Sequence, residues 1–268
     1  MKRQNRTKYV DKIIRSTNNK LKPIYRNTAI GIRDAASRLY LETGSVDIQN
    51  LRKHAGWIEL ENQILMNCQD IYDSEYRLLS REFSNVYTNV RQYAYKEIQK
   101  EVEASAVNSV LTTEKTIRNR LLLDMQPYKK STIEGVWCKD GYKWSERLWK
   151  NQTTLAHTLK ADIFSCYENN VPIVELEKKI MKDFNVKYHE ASRLVRTELS
   201  HIETATTCQL YREYGYTKAR WVAESGCCEK CYFNDGALLS LTELEELIPA
   251  HPNCRCTIGR PEKQEFGL

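Results

Sequence analysis

The spacing of hydrophobic residues predicts long helices over the first part of the chain. Between about residues 13 and 106, apolar side chains recur every three or four positions, which places them on one side of a helix. Examples are Ile64, Cys68, Ile71 and Leu78, and further on Val86, Val90, Tyr93 and Ala94. Gly44, Ser45 and Gly56 are the expected interruptions, because glycine and serine favour turns. We therefore expect several helices here.

The second part of the chain continues this pattern after a break. Residues 121–141 contain Pro127, Gly135 and Gly141, which predicts a connection between two parts. An amphipathic helix is expected over residues 145–169, another from Pro172 to about residue 184, and a longer one over residues 188–214 that Gly215 ends. The expected inward positions are Leu148, Leu155, Leu159 and Ile163 on the first helix and Ala191, Val195, Leu199 and Ile202 on the last.

Two short β-like segments follow the last helix, at residues 219–223 and 257–258. The predicted fold is mainly α, with an elongated helical N-terminal region and then a helical domain that ends in a small, β-containing zinc module. We place the boundaries at residues 1–125 for the N-terminal region, 126–218 for the helical domain and 219–268 for the module.

Composition narrows the class of protein. The chain has 268 residues with 41% hydrophobic and 28% charged residues, which excludes a disordered or fibrous chain. Its first residues lack the apolar core of a secretory signal, and no apolar run reaches the ~18 residues that span a bilayer. We expect no membrane segment and a reducing compartment, in which clustered cysteines indicate a metal site.

Five of the nine cysteines lie in the last 42 residues, and they predict a zinc site. Cys228 and Cys231 form a C-x₂-C pair, a spacing that lets two thiolates from one tight turn bind one tetrahedral ion. A second chelating segment follows about twenty residues later. It contributes His251, Cys254 and Cys256.

Cys228, Cys231, His251, Cys254 and Cys256 are five candidates for the four ligand positions of a zinc ion, and Cys227 is a sixth because it adjoins Cys228. Cys228, Cys231 and Cys254 are the expected common members, while His251 and Cys256 compete for the fourth place. Four protein ligands leave no position for water or substrate, so we expect structural Zn²⁺ rather than a catalytic ion. The alternative is that the thiols carry no metal or form disulfides.

The positive charge is concentrated at the start of the chain. Residues 1–26 carry nine Lys and Arg against one acidic residue, Asp11. The arm could contact DNA or an acidic protein surface, or it could be a solvated helix end that aids solubility. Its candidate contact residues are Lys2, Arg3, Arg6 and Lys8.

The order of motifs in residues 130–260 resembles the phage Mu protein F-like head morphogenesis family. The motifs are WSERLWK at residues 144–150, RTEL at residues 196–199, Gly215, Trp221, the C-x₂-C pair, Asp235-Gly236, and HPNCRC at residues 251–256. The C-x₂-C pair with HPNCRC is the most specific part. The resemblance covers about half of the chain, and the first ~120 residues match no known pattern.

The resemblance implies a minor head protein, present in few copies in the virion and made in the bacterial host cytoplasm. Its expected partners are the portal protein, inner capsid proteins and, non-specifically, packaged DNA. Its expected role is in head morphogenesis, DNA packaging or ejection, without enzymatic activity.

The RTEL motif offers two candidate structural residues. Arg196 and Glu198 lie two positions apart and so project in different directions from a helix. One of them is expected to hold the long helix against the zinc module by a buried hydrogen bond, whereas a solvated surface pair would contribute little.

Two other function classes remain open. A zinc nuclease or toxin would need a general base at an open metal position, and His189-Glu190 lacks the second His of an H-E-x-x-H motif. A zinc-dependent nucleic-acid-binding protein would use the basic arm, but six acidic residues surround the cysteine pair and would repel a duplex. They are Glu224, Glu229, Asp235, Glu243, Glu245 and Glu246.

Overall fold

The structure is a computed structural model that describes residues 5–43, 48–105 and 125–262, and it is mainly helical. The helices are α1 (Asn5–Thr43), α2 (Ile48–Leu51), α3 (Ala55–Ser105), α4 (Met125–Glu134), α5 (Trp144–Glu168), α6 (Ile173–Glu213), α7 (Glu229–Phe233) and α8 (Leu241–Leu247). The strands are β1 (Lys218–Val222), β2 (Leu238–Ser240) and β3 (Thr257–Glu262). No helix among the described residues has the length and hydrophobicity required to cross a membrane.

The chain folds into two compact units, and each combines segments that are distant in sequence. The tail unit comprises residues 1–15, 80–143 and 194–268, and the helix unit comprises residues 16–79 and 144–193. The predicted boundaries at residues 125 and 218 do not coincide with these units. The reason is that α1, α3 and α6 are long helices. One end of each helix belongs to the tail unit and the other end belongs to the helix unit.

The helix unit is built around the apolar face of α5. Leu155, Leu159 and Ile163 are fully buried, as the spacing predicted. Trp57 of α3 packs edge-on against Phe164, with ring centroids 5.5 Å apart. The α5 helix begins one residue before the predicted start and ends one residue early, where Asn170 adopts a φ of 49°.

The sequence prediction of two separate helices between Pro172 and residue 214 is wrong. Residues 173–213 form one continuous helix. The proposed break near residues 185–187 contains neither Gly nor Pro, and no strong helix breaker interrupts the backbone hydrogen bonds there. Gly215 follows the helix with a φ of 79°, which confirms its predicted role as the terminator.

A three-stranded antiparallel sheet forms the C-terminal part of the tail unit, with the order β2-β1-β3. The predicted strands at residues 219–223 and 257–258 correspond to β1 and β3, while β2, α7 and α8 were not predicted. The α8 helix carries a capping box between Ser240 and Glu243. Trp221, Leu244 and Ile258 pack with buried residues of α3 and α6 in one apolar core.

A buried carboxyl group lies in the helix unit. The Tyr25 hydroxyl donates to Oε1 of Glu75 over 2.7 Å, and Nε2 of Gln152 donates to Oε2 over 3.0 Å. Burial raises the pKa of Glu75 to about 7, although both hydrogen bonds oppose the shift. Within the described part of the chain, Oε1 of Gln152 accepts no hydrogen bond. A flipped Gln152 amide would let a protonated Glu75 donate to it.

Replacing Glu75 by Gln should change how stability depends on pH. The carboxyl pKa is higher in the folded state than in the unfolded chain, so wild-type stability falls as pH rises from about 4.5 to about 7. The neutral amide avoids this loss. We expect the free energy of unfolding of Glu75→Gln, relative to wild type, to rise by about 3 kcal/mol between pH 4.5 and pH 8.

Urea unfolding followed by circular dichroism at both pH values measures this difference. The exposed Glu59→Gln variant is the matched control and should show a change of less than about 0.5 kcal/mol. An equal pH dependence in wild type and Glu75→Gln would contradict the assignment.

Candidate metal centre

The first half of the candidate site is the turn that contains Cys228 and Cys231. Cys228 directly precedes α7, which carries Cys231 in its first turn. The backbone N–H of Cys231 donates to the Cys228 sulfur, a bond that favours the thiolate and lowers the pKa of Cys228. Cys228 is exposed and Cys231 is fully buried, so the turn brings one ligand from the surface and one from the core.

The second half is a tight loop between α8 and β3. Asn253 adopts a φ of 66°, and the N–H of Cys254 donates to the carbonyl of His251 over 3.0 Å. The loop thereby places His251, Cys254 and Cys256 on the side that faces the first half. Cys254 and Cys256 are buried, and His251 is partly exposed.

The two halves meet at Cys231. Nε2 of His251 lies 3.3 Å from Sγ of Cys228 and 3.4 Å from Sγ of Cys231, and the sulfurs of Cys231 and Cys254 are 3.9 Å apart. The ligand atoms form two overlapping trios within 4.8 Å, Cys228–Cys231–His251 and Cys231–Cys254–Cys256, and Cys231 belongs to both. The five predicted residues therefore cluster and could bind a metal ion.

The tautomer of His251 suits a metal ligand. Nδ1 lies 2.9 Å from the carbonyl oxygen of Pro252, an acceptor, so Nδ1 carries the proton and donates it there. Nε2 is then free to offer its lone pair toward the two sulfurs. The same hydrogen bond to Pro252 is the first cause that raises the pKa of His251, with smaller contributions from the neighbouring thiols.

The thiols differ in how readily they ionise. A hydrogen bond from Cys256 lowers the pKa of Cys254 to about 5, with further help from the backbone N–H groups of Cys256 and Ala250. The Cys256 thiol donates that hydrogen bond, and this donation, together with burial, raises the pKa of Cys256. Burial raises the pKa of Cys231 to about 12 in the absence of an ion. The shifts of Cys254 and Cys256 share one physical cause, the hydrogen bond from the Cys256 thiol to the Cys254 sulfur.

The chelating loop between α8 and β3 contacts α6 and α1 at the edge of the site. Oγ1 of Thr197 accepts a hydrogen bond from the N–H of Asn253 over 3.2 Å, and Arg255 pairs with Asp11 at 3.0 Å. Thr197 lies between Arg196 and Glu198, the two predicted structural residues of the RTEL motif. One exposed hydrogen bond between α6 and the HPNCRC loop therefore comes from the centre of the RTEL motif.

Of the two predicted structural residues, Arg196 is exposed and Glu198 is buried. The Arg196 side chain is exposed, so no buried hydrogen bond from it holds the tail. Glu198 is buried, but it accepts a hydrogen bond from Nε1 of Trp137 over 2.8 Å. Trp137 also stacks on His201 with ring centroids 4.2 Å apart. Glu198 thus bonds to the segment before α5.

Arg6 does not belong to an exposed contact arm as predicted, because it lies in the core of the tail unit. Its side chain is 0% exposed, and its guanidinium pairs with Glu97 and donates to the carbonyl of Ile258. Its Nε lies 3.6 Å from Glu203. A buried, paired guanidinium cannot reach DNA or a portal. Lys8 is exposed, and Lys2 and Arg3 lie outside the described residues.

Sequence reasoning also missed the hydroxyl groups around Glu203. Thr7 donates to its Oε1 over 2.6 Å and Thr257 donates over 2.9 Å. The one available signal was the excess of Thr and Glu in residues 197–207, within a helix that is otherwise regularly amphipathic. This network connects α1, α3, α6 and β3, and β3 begins next to Cys256.

Comparisons of this chain with protein-family models, with curated proteins and with solved structures gave no match.

Replacing Arg6 by Ala should strongly destabilise the tail unit. The change would leave the carboxylates of Glu97 and Glu203 without their cation, and an uncompensated buried charge costs about 3–5 kcal/mol. Thermal unfolding followed by circular dichroism measures the loss. Lys8→Ala, two positions along α1, is the matched control and should change stability by less than about 0.5 kcal/mol. Equal effects of both variants would contradict the buried network.

Proposed function

We propose that the cluster holds one Zn²⁺ ion through Cys228, Cys231, His251 and Cys254. Around a tetrahedral zinc with sulfur ligands at about 2.3 Å and nitrogen at about 2.0 Å, sulfurs lie about 3.8 Å apart and sulfur and nitrogen about 3.5 Å apart. The separations of 3.3, 3.4 and 3.9 Å are close to three of the six edges of such a tetrahedron. The other three edges of the proposed set join Cys228 to Cys231 and Cys254 to Cys228 and His251, and Cys254 shares a trio with Cys231 but not with Cys228 or His251. The thiolate and imidazole ligand set favours zinc over magnesium or calcium, which prefer oxygen ligands.

In this proposal Cys256 is a supporting residue and His251 is the fourth ligand. His251 has the tautomer of a metal ligand, with Nδ1 bonded to a backbone carbonyl and Nε2 directed at two sulfurs. The Cys256 thiol lies against Cys254 on the buried side of the site. A thiol that donates a hydrogen bond to a metal-bound sulfur stabilises the charge on it.

The ion's role is structural, because four protein ligands leave no open position for water or substrate. The chain between Trp221 and Ile258 contributes few large apolar side chains to its own core, so the ion would supply part of the folding free energy of the tail. A nuclease or toxin would require an open position. A DNA-binding regulator built on the basic arm is less well supported, because Arg6 is buried.

We also propose that the chain is a structural minor head protein of the phage Mu protein F-like family, associated with the portal and the inner capsid. The observation that carries this proposal is the ordered series of motifs from WSERLWK to HPNCRC. The geometry supports it in one respect, since the two most specific motifs meet at one site and Thr197 of RTEL contacts the second of them. Head morphogenesis, DNA packaging or ejection is the corresponding role.

Elemental analysis of the purified full chain tests the zinc proposal, and we expect about one zinc per chain. Cys254→Ser and His251→Ala should lose most of the zinc, since three ligands bind it much more weakly than four. Cys256→Ala should retain it. Cys208→Ala is the matched control, because Cys208 is a buried cysteine of the same unit outside the cluster. Zinc loss in Cys256→Ala with retention in His251→Ala would reverse the assignment of the fourth ligand.

Quantitative mass spectrometry of virions purified from the phage that encodes the chain tests the head proposal. We expect the chain in filled heads at a few copies, comparable to the portal and far below the major capsid protein. Cross-linking should connect it to the portal. Absence of the chain from purified virions would refute the proposal. Full-length protein is required in binding experiments, because a cut near residue 120 would divide both units.

A further inference from the structure

The helix unit exposes an uncharged face on α3. Six residues recur at steps of three and four and lie within about 80° of one another around the helix axis. They are Ile58, Asn62, Leu65, Gln69, Tyr72 and Tyr76. Ile58, Leu65 and Tyr76 are 47%, 48% and 42% exposed, whereas the core residues of the same helix, such as Ile64 and Ile71, are 1% exposed. The face is about 27 Å long.

Aromatic rings from α5 extend this face within the same unit. Trp149, which is 49% exposed, packs edge-on against Tyr72 with centroids 5.1 Å apart. Tyr76 stacks on Trp144 at 5.2 Å, and Trp144 is itself buried. The rings therefore form a fixed surface. Isolated exposed hydrophobic residues are ordinary, but a continuous surface of this kind marks an interaction site.

The charges that α3 itself places beside this face have one sign. Between His54 and Tyr76 the chain has no Lys or Arg. Glu59, Asp70 and Asp73 lie along one edge of the face, and Glu61 lies along the other. Met66, which is 68% exposed, interrupts the acidic edge and widens the apolar surface. A binding partner must therefore provide apolar side chains, with positive charges toward these acidic residues of α3.

We propose that the Ile58–Tyr76 face of α3, together with Trp149, is the docking surface for an amphipathic helix of a partner protein that carries apolar residues at heptad spacing and Lys or Arg beside them. The helical spacing of the exposed residues matches the ridges of a partner helix, and the acidic edges select its charge. This inference goes beyond the proposed head function and does not depend on the metal ion.

The acidic residues of α3 disfavour three other binding partners at this face, namely a second copy of the chain, nucleic acid and an anionic membrane. A second copy that docked through the same face would bring Glu59, Asp70 and Asp73 of both chains together, and like charges across an interface are unfavourable. Nucleic acid and anionic membranes would be repelled in the same way. A basic amphipathic helix satisfies both the apolar surface and its acidic edges.

Fluorescence anisotropy with the full chain and two labelled synthetic peptides tests the proposal. Both peptides are about 21 residues long, ~31 Å as a helix, with Leu at positions a and d of each heptad. One carries Lys at positions e and g, and the other carries Glu there. We expect the Lys peptide to bind at least tenfold more tightly at low salt, with a smaller advantage at high salt because salt screens exposed charges.

Variants of the full chain locate the binding surface. Ile58→Gln combined with Leu65→Gln should weaken binding of the Lys peptide at least tenfold, and Glu59→Lys combined with Asp70→Lys should reverse the preference between the peptides. Leu41→Gln is the matched control, because Leu41 of the same unit is 74% exposed and lies on α1. It should leave binding unchanged. All variants are exposed substitutions, and unchanged circular dichroism spectra verify folding.

The proposal fails if the full chain binds neither peptide or binds both equally. It also fails if Leu41→Gln weakens binding as much as the α3 variants do. A shift of the apparent mass to a dimer without peptide, abolished by the α3 variants, would instead assign the face to self-association.

Discussion

The tail unit depends on one buried guanidinium. Arg6 lies without solvent exposure between Glu97 of α3, Glu203 of α6 and the carbonyl of Ile258 in β3. A charge in this position is tolerated only because several acceptors surround it, so the three helices and the strand must assemble together. Burial raises the pKa of Glu203, and the guanidinium of Arg6 opposes that shift. The network therefore fixes the strand that leads out of the metal cluster.

The cluster itself is a second constraint on the same segment. Cys256 directly precedes β3, and Arg255 pairs with Asp11 of α1, so the chelating loop and the buried network share a few residues of backbone. An ion bound at Cys228, Cys231, His251 and Cys254 would hold the loop from one side while Arg6 holds β3 from the other. In the proposed zinc-bound protein, the ion and Arg6 would together order this segment.

The helix unit relies on ordinary apolar packing, with one polar exception. Its core is a continuous cluster of Leu, Ile and aromatic side chains, into which Glu75, Tyr25 and Gln152 place a hydrogen-bonded trio. The apolar residues that this core leaves outside, on α3 and α5, form the exposed face with acidic edges. Core packing and the proposed docking surface thus use different sides of α3.

The sequence by itself determined most of the long helices, the terminator Gly215 and the five residues of the candidate metal cluster. These are local properties, since periodicity, a flexible backbone position and a C-x₂-C spacing are all visible within a few residues. Only the tertiary structure decided that Arg6 is buried, that Glu198 bonds to Trp137, and that Thr197 makes the contact with the tail. Each of these depends on which distant side chain lies opposite, and a basic arm at the surface has the same local sequence as a buried cation with its partners far along the chain.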